Sequence, residues 1–279
     1  MEKAAAVRKP AVAGAFYPAD STRLKAEITD YLGRVDVDRS ARDIVALVAP
    51  HAGYMYSGPV AAYAYRQVQG KTYDTVVVIS PSHREYFDFS SVFHGEAYET
   101  PLGRVPVDGE VVSELSEVGE RSVKASGEGH LYSAEHALEV HLPFLQVALG
   151  NFRLVPIVMG SQERESCQAL GRALAKVLAG RKALIVASTD LSHFHDQNSA
   201  ESLDSLVIDH IGAFDPDGLL DDVERRKCEA CGAGPMAAAM YAARALGAKK
   251  AENLHYATSG ETSGNYVQVV GYTAGIIYR

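Results

Sequence analysis

The chain has 279 residues, 47% hydrophobic and 22% charged, with 27 Lys and Arg against 35 Asp and Glu for a formal net charge of -8. That length suits one large α/β domain with a substantial core, and the acidic balance argues against nucleic acid or an anionic membrane as the main partner, because both need clustered Lys and Arg. No apolar run approaches membrane-spanning length, Arg8, Lys9 and Pro10 break the segment where a signal peptide would need continuous apolar residues, and three cysteines point to a reducing cytoplasm rather than a disulfide framework.

Val7 to Asp20, with Pro10, Gly14 and Pro18, reads as an extended arm, after which Asp20 or Ser21 caps a helix through Tyr31 or Leu32. Ile44 to Val48 is a short branched apolar run, the pattern of a strand buried on both faces. Pro50 and Gly53 then take the chain out of the sheet with His51 at its lip, and Val60 to Gln69 follows as a helix with Pro59 in its first turn. Thr75 to Ile79 repeats the strand and ends in Ser80-Pro81-Ser82-His83; Ala183 to Ala187 repeats it again and ends in Ser188-Thr189-Asp190-Leu191-Ser192-His193. Between them the pattern gives a short strand at Ser91 to Phe93, a turn at Thr100 to Gly103, and a helix from Asp108 to about Val118. Arg121 to Gly129 reads as a loop. Ser133 to Leu149 reads as a helix capped by Ser133 and kinked or broken at Pro143. A strand from Phe152 to Val158 and an amphipathic helix from Ser161 to Leu178 come next. Two acidic helical segments over 198–211 and 215–226 lead to Cys228-Glu229-Ala230-Cys231-Gly232-Ala233-Gly234-Pro235, a helix to Leu246, and two strands, 253–257 and 266–278, in a hairpin or at a sheet edge. With no linker or internal repeat, the expectation is a single domain over 1–279, with a central, largely parallel or mixed sheet and helices on both faces.

Ligands of open α/β sheets bind beyond the carboxyl ends of the strands, so three strand ends carrying His51, His83 and the Asp190–His193 pair point to one site. Asp190 beside His193 can hold a tautomer and tune a general base. Cys231, just before a helix, sits where the helix dipole favours a thiolate by about 0.3 to 1 kcal/mol; it is a candidate ligand or nucleophile, or else a small buried residue like Cys228. Glu135-His136-Ala137-Leu138-Glu139-Val140-His141 is not a zinc protease helix, since its histidines are five residues apart where those motifs need four. Five residues turn a helix by about 140° net, so only one of His136 and His141 should reach the site, the other capping or packing.

The strings APHAGYMYSGPVAAYAY (49–65), SPSH (80–83), TPLG (100–103), AEHALEVHLPFLQ (134–146), STDLSHF (188–194) and CGAGP (231–235), with the opening RKPAVAGAFYP, closely resemble the Memo family, the protein B of the AmmeMemoRadiSam system. That family resembles the LigB-type class III extradiol dioxygenases in fold. The resemblance implies His51, His83 and Cys231 as metal ligands, His193 as the acid-base histidine with Asp190 beside it, and His141, Glu135 and Tyr54 as wall residues, Tyr54 toward substrate. A thiolate where the dioxygenases place a carboxylate is softer, which makes Cu(I) and Zn(II) competitive with iron; Fe2+ or Cu stays the expected metal, ahead of Zn2+. The function so implied is a metal-dependent oxidoreductase acting on a small molecule or peptide. The alternatives are a non-catalytic binding module working with a radical-SAM protein and a zinc hydrolase.

Overall fold

Residues 6–36, 42–119, 121–131 and 134–279 are described by the computed structural model, in which the branched apolar runs become strands and the amphipathic runs helices. In chain order these are β1 (Val7–Arg8), α1 (Ser21–Gly33), β2 (Ile44–Ala49), α2 (Tyr54–Arg66), β3 (Thr75–Pro81), β4 (Ser90–Val92), β5 (Ala97–Thr100), β6 (Gly103–Pro106), α3 (Gly109–Val118), β7 (Val123–Ala125) and α4 (His141–Leu149). The second half adds β8 (Arg153–Met159), α5 (Arg164–Leu178), β9 (Ala183–Ser188), β10 (His193–His195), α6 (Gln197–Ala213), α7 (Pro216–Glu224), α8 (Ala233–Ala245), β11 (Lys250–Thr258), α9 (Ser259–Ser263) and β12 (Val269–Tyr278). The main sheet runs β10-β12-β2-β9-β3-β8-β4-β7, with β11 also paired to β12; β1, β5 and β6 form a small separate sheet.

The four strands at its centre, β2, β9, β3 and β8, are parallel, and antiparallel β12 and β4 extend it on either side. The sheet is therefore mixed. Alternate side chains of a strand point to opposite faces, and the core divides accordingly. Val76 and Val78 of β3 pack with α1, α2 and α4 through residues such as Leu24, Tyr65 and Phe144, whereas Val77 and Ile79 pack with α3, α5 and α8 through Leu115, Leu170 and Met240. Burial on both faces accounts for the unbroken apolar runs that the sequence shows. The C-terminal hairpin is as expected, but its second strand, β12, is not an edge: almost wholly buried, it lies between β10 and β2. Among the described residues, no helix is long and apolar enough to cross a membrane.

Of three local departures from the expected elements, the first two bear on the site. Helix α2 begins at Tyr54, not Val60, so Pro59 lies inside it and β2 is joined to it by four residues only. The Tyr54 N–H, one of the donors every helix start leaves unpaired, goes to Phe16 O of the arm at 2.8 Å. Only His141–Leu149 of the expected helix over 133–149 is helical, and Ser133, the expected cap, lies outside the described residues. Pro143 stands third in α4, where its missing N–H has no intrahelical partner to lose, so it marks a start and not a kink. Before it, the Glu135 carboxylate takes the His136 and Ala137 N–H groups at 2.8 and 2.9 Å and holds the chain in turns. The third departure is β7, which pairs with β4 inside the stretch read as a loop.

Candidate metal centre

Strand β9 lies between β2 and β3, all three parallel, so their carboxyl ends are neighbours and the residues just beyond them meet. His51 follows β2 and His83 follows β3. His136 enters from the turns ahead of α4, and these three imidazoles offer donor atoms all within 4.8 Å of one another. Their ring centroids are 5.2 Å apart for His51 and His83, 5.7 Å for His51 and His136, and 5.1 Å for His83 and His136. An ion bound by imidazole at about 2.0–2.1 Å sets tetrahedral donors about 3.3 Å apart, so small rotations would close the group on a metal. His51 is buried, His136 half-buried and His83 exposed, which leaves one side open to solvent.

The rings are oriented from behind. His83 Nδ1 lies 3.1 Å from Glu135 Oε1. A carboxylate only accepts, so Nδ1 carries the proton and Nε2 keeps its lone pair for the site. Glu135 also accepts the backbone N–H groups of His83, His136 and Ala137. Burial pushes its pKa up, but the bond and charge of His83 and these N–H groups outweigh burial and hold it down to about 2. His51 donates its backbone N–H to Asp190 Oδ1 at 2.8 Å, its Nδ1 lies 2.7 Å from Ser188 Oγ, and its Nε2 lies 3.3 Å from Cys231 Sγ. Burial first, then the neighbouring His83 and His136, keep its pKa well below the usual histidine range. Burial likewise lowers that of His136, against the pull of Glu135.

Cys231 is thus placed beside His51, while His136 completes the set of three mutually close donors. The expected stabilisation of a thiolate there needs correction. Burial, followed by the Asp190 carboxylate, pushes the Cys231 thiol up, because desolvating a thiolate next to a carboxylate outweighs a helix end worth under about 1 kcal/mol. Its Sγ instead accepts from Asp190 N at 3.2 Å. The next residue, Gly232, makes this placement possible: a Cβ there would sit 2.0 Å from Ser188 O and 2.7 Å from Thr189 Cβ. Gly232→Ala is therefore expected to lower stability by about 1–3 kcal/mol through overpacking, and a urea melt indistinguishable from that of the parent would refute this close approach.

The other sequence candidates divide. Asp190 is buried, its pKa raised by burial, and it bridges the His51 and Cys231 segments. His193 donates Nδ1–H to Leu191 O at 2.8 Å and so keeps an Nε2 lone pair; the following Phe194 is 70% exposed with a φ of 63°. His141 is not in the group of three but behind it, buried, with Nε2 2.6 Å from Ser188 Oγ and Nδ1 2.6 Å from the Tyr65 hydroxyl. Tyr54 is not brought to the group either: its hydroxyl donates to Val140 O at 2.7 Å and its ring packs on Tyr17 and Phe144. A helix over 133–149 would turn His136 away from His141; Pro143, as the mark of a later helix start, is the signal in the sequence that frees His136 from that helix.

A family model described as Memo-like protein matches residues 8–276. A MEMO1 family protein of Methanothermobacter thermautotrophicus is 40% identical over 279 residues, covering 95% of this chain and 98% of that one. Another, from Sulfolobus acidocaldarius, is 40% identical over 281 residues, covering 95% and 97%. Among solved structures, that of an uncharacterized protein from Escherichia coli K12 superposes with a TM-score of 0.54 at 15% identity, over 82% of this chain and 99% of that one. At that identity the likeness concerns the fold alone.

Proposed function

The chain belongs to the Memo family, and from that premise we propose that it is a metal-dependent oxidoreductase whose ion is held by His51, His83 and His136 with the Cys231 thiol alongside. The observation that carries this reading is the convergence of three imidazoles from three separate segments to within 4.8 Å. Imidazole suits iron, copper and zinc alike, and a nearby thiol adds preference for the softer Cu+ and Zn2+; Fe2+ or copper is favoured over Zn2+ because zinc has no redox chemistry to offer an oxidoreductase. When bound, such an ion would supply Lewis-acid or redox chemistry. The chain's own residues would do the rest: His193 moves a proton at Nε2, and Asp190 fixes the His51 backbone and the Cys231 segment. A reducing cytoplasm fits the reduced thiol.

Titration of chelator-treated protein with Fe2+, Cu+ and Zn2+, read by elemental analysis after desalting, tests the centre. His51→Ala, His83→Ala and His136→Ala are each expected to weaken binding at least tenfold; unchanged metal content in all three sinks the reading. Cys231→Ser measured alongside shows whether the thiol, which the family resemblance makes a ligand, joins the histidines. Oxygen uptake with catechols and thiols by the loaded protein then tests the oxidoreductase, and its absence with every metal favours a binding module. One observation supports that second reading: Met55, Tyr86 and Phe194, on the segments carrying His51, His83 and His193, are 60%, 86% and 70% exposed. Such surfaces suit a peptide or a radical-SAM partner.

A further inference from the structure

Behind the centre lies a buried chain of hydroxyls and imidazoles whose protons can be assigned one by one. The Tyr65 hydroxyl is fully buried and its one hydrogen-bond partner among the described residues is His141 Nδ1, at 2.6 Å. A buried phenol left without an acceptor is disfavoured, so Tyr65 donates and His141 Nδ1 accepts. In a neutral ring the other nitrogen then carries the hydrogen. His141 Nε2–H therefore donates to Ser188 Oγ, 2.6 Å away. Ser188 has one hydrogen to give, and it goes to Ala137 O at 2.8 Å, a buried carbonyl with no other hydrogen-bond donor among the described residues. The remaining lone pair of Ser188 Oγ faces His51 Nδ1 at 2.7 Å, which must then donate.

We infer that Tyr65, His141 and Ser188 act as positioning residues which lock His51 in its Nδ1–H tautomer and so present the Nε2 lone pair to the centre. The alternative assignment, Ser188 donating to His51, would orphan Ala137 O and turn an N–H toward the site. Ser188 thus does for His51 what Glu135 does for His83. None of the three groups needs to touch a metal or substrate for this. The inference rests on the metal reading for its purpose but not for its proton positions, which belong to the metal-free protein.

Two-bond 15N–1H correlation spectra of the metal-free protein, with rings assigned by single His→Gln replacements, give the test. His51 is expected as the Nδ1–H tautomer and His141 as the opposite one, Nε2–H. Ser188→Ala is expected to convert His51 to Nε2–H and to weaken Co2+ binding about tenfold or more, with Ser188→Thr restoring both. An Nε2–H ring at His51 in the parent protein overturns the inference, and this holds even if Ser188→Ala does not fold. So does retention of Nδ1–H in Ser188→Ala. If the tautomers are as assigned and the parent binds no Co2+, Fe2+ or Zn2+, the metal reading fails while the tautomer assignment stands.

Discussion

Glu135→Ala is expected to lower stability by at least about 3 kcal/mol and to weaken metal binding about 10–100-fold together. One buried carboxylate takes four donors: the backbone N–H groups of His83, His136 and Ala137, and His83 Nδ1. Each donor orphaned away from water costs about 1–3 kcal/mol, partly recovered at His83, which solvent reaches. The same carboxylate fixes two of the three imidazoles, so loosening it should blur the centre as well as the fold. Glu135→Gln separates the effects. Oε1 serves His136 N, Ala137 N and His83 Nδ1, while Oε2 serves only His83 N. An amide with its oxygen in the Oε1 place keeps three donors and sets N–H against N–H at the fourth, so its loss should be roughly half that of alanine. Urea midpoints and Co2+ titrations of both variants are the measurements, and an alanine variant within about 0.5 kcal/mol of the parent, the scale of an ordinary surface change, would show that Glu135 does not organise this loop.

How much of this was readable from the sequence depends on whether the signal was local. The parallel strands were legible because burial on both faces writes itself as runs such as Thr75–Ile79, and the strand-end position of His51 and His83 followed from the residues that interrupt those runs. Asp108 as a helix cap was equally local: its side chain accepts from Val111 N. Which of His136 and His141 reaches the site was not legible, because the answer depends on Glu135 tying its own turn to the His83 backbone, 52 residues away, which no short window of sequence contains. The role of Ser188 is illegible for the same reason. It is the last residue of a strand and looks like a plain end to β9, yet its hydroxyl meets His51, His141 and Ala137, 137, 47 and 51 residues away. Tyr54, which the resemblance gives as a wall residue, stands three residues from His51 at a helix start, and there its ring packs on Tyr17 and Phe144.

The protein is expected to lose about 5 kcal/mol of stability between pH 6.5 and 4.5, as its buried neutral histidines come under protonation pressure. Burial pushes the pKa of His130 and of His141 down to about 3. Both rings are fully hydrogen-bonded as neutral species: Tyr98 OH lies 2.5 Å from His130 Nδ1 and Ser91 O 3.1 Å from its Nε2, while His141 sits between Tyr65 and Ser188. In the unfolded chain the same rings take up protons near 6.5. Between those values the unfolded state binds more protons than the fold, so stability falls as pH falls, by up to about 1.4 kcal/mol per pH unit for each ring. At pH 4.5 the two together remove about 5 kcal/mol, a large share of a typical stability of about 5–15 kcal/mol. Glu135 acts in the same direction but later. Its pKa, held at about 2 in the fold, is depressed from the unfolded value near 4.5, so its contribution is present above 4.5 and is lost as pH falls from there toward 2. Urea midpoints measured from pH 7.5 to 4.5 should therefore decline steadily, and His130→Gln should remove about half of the slope whatever it does to stability at neutral pH. A parent midpoint that stays flat down to pH 4.5 would mean that one or both rings accept a proton in the fold, and with it the neutral hydrogen-bonding pattern around Ser188 and Ser91 would have to be redrawn.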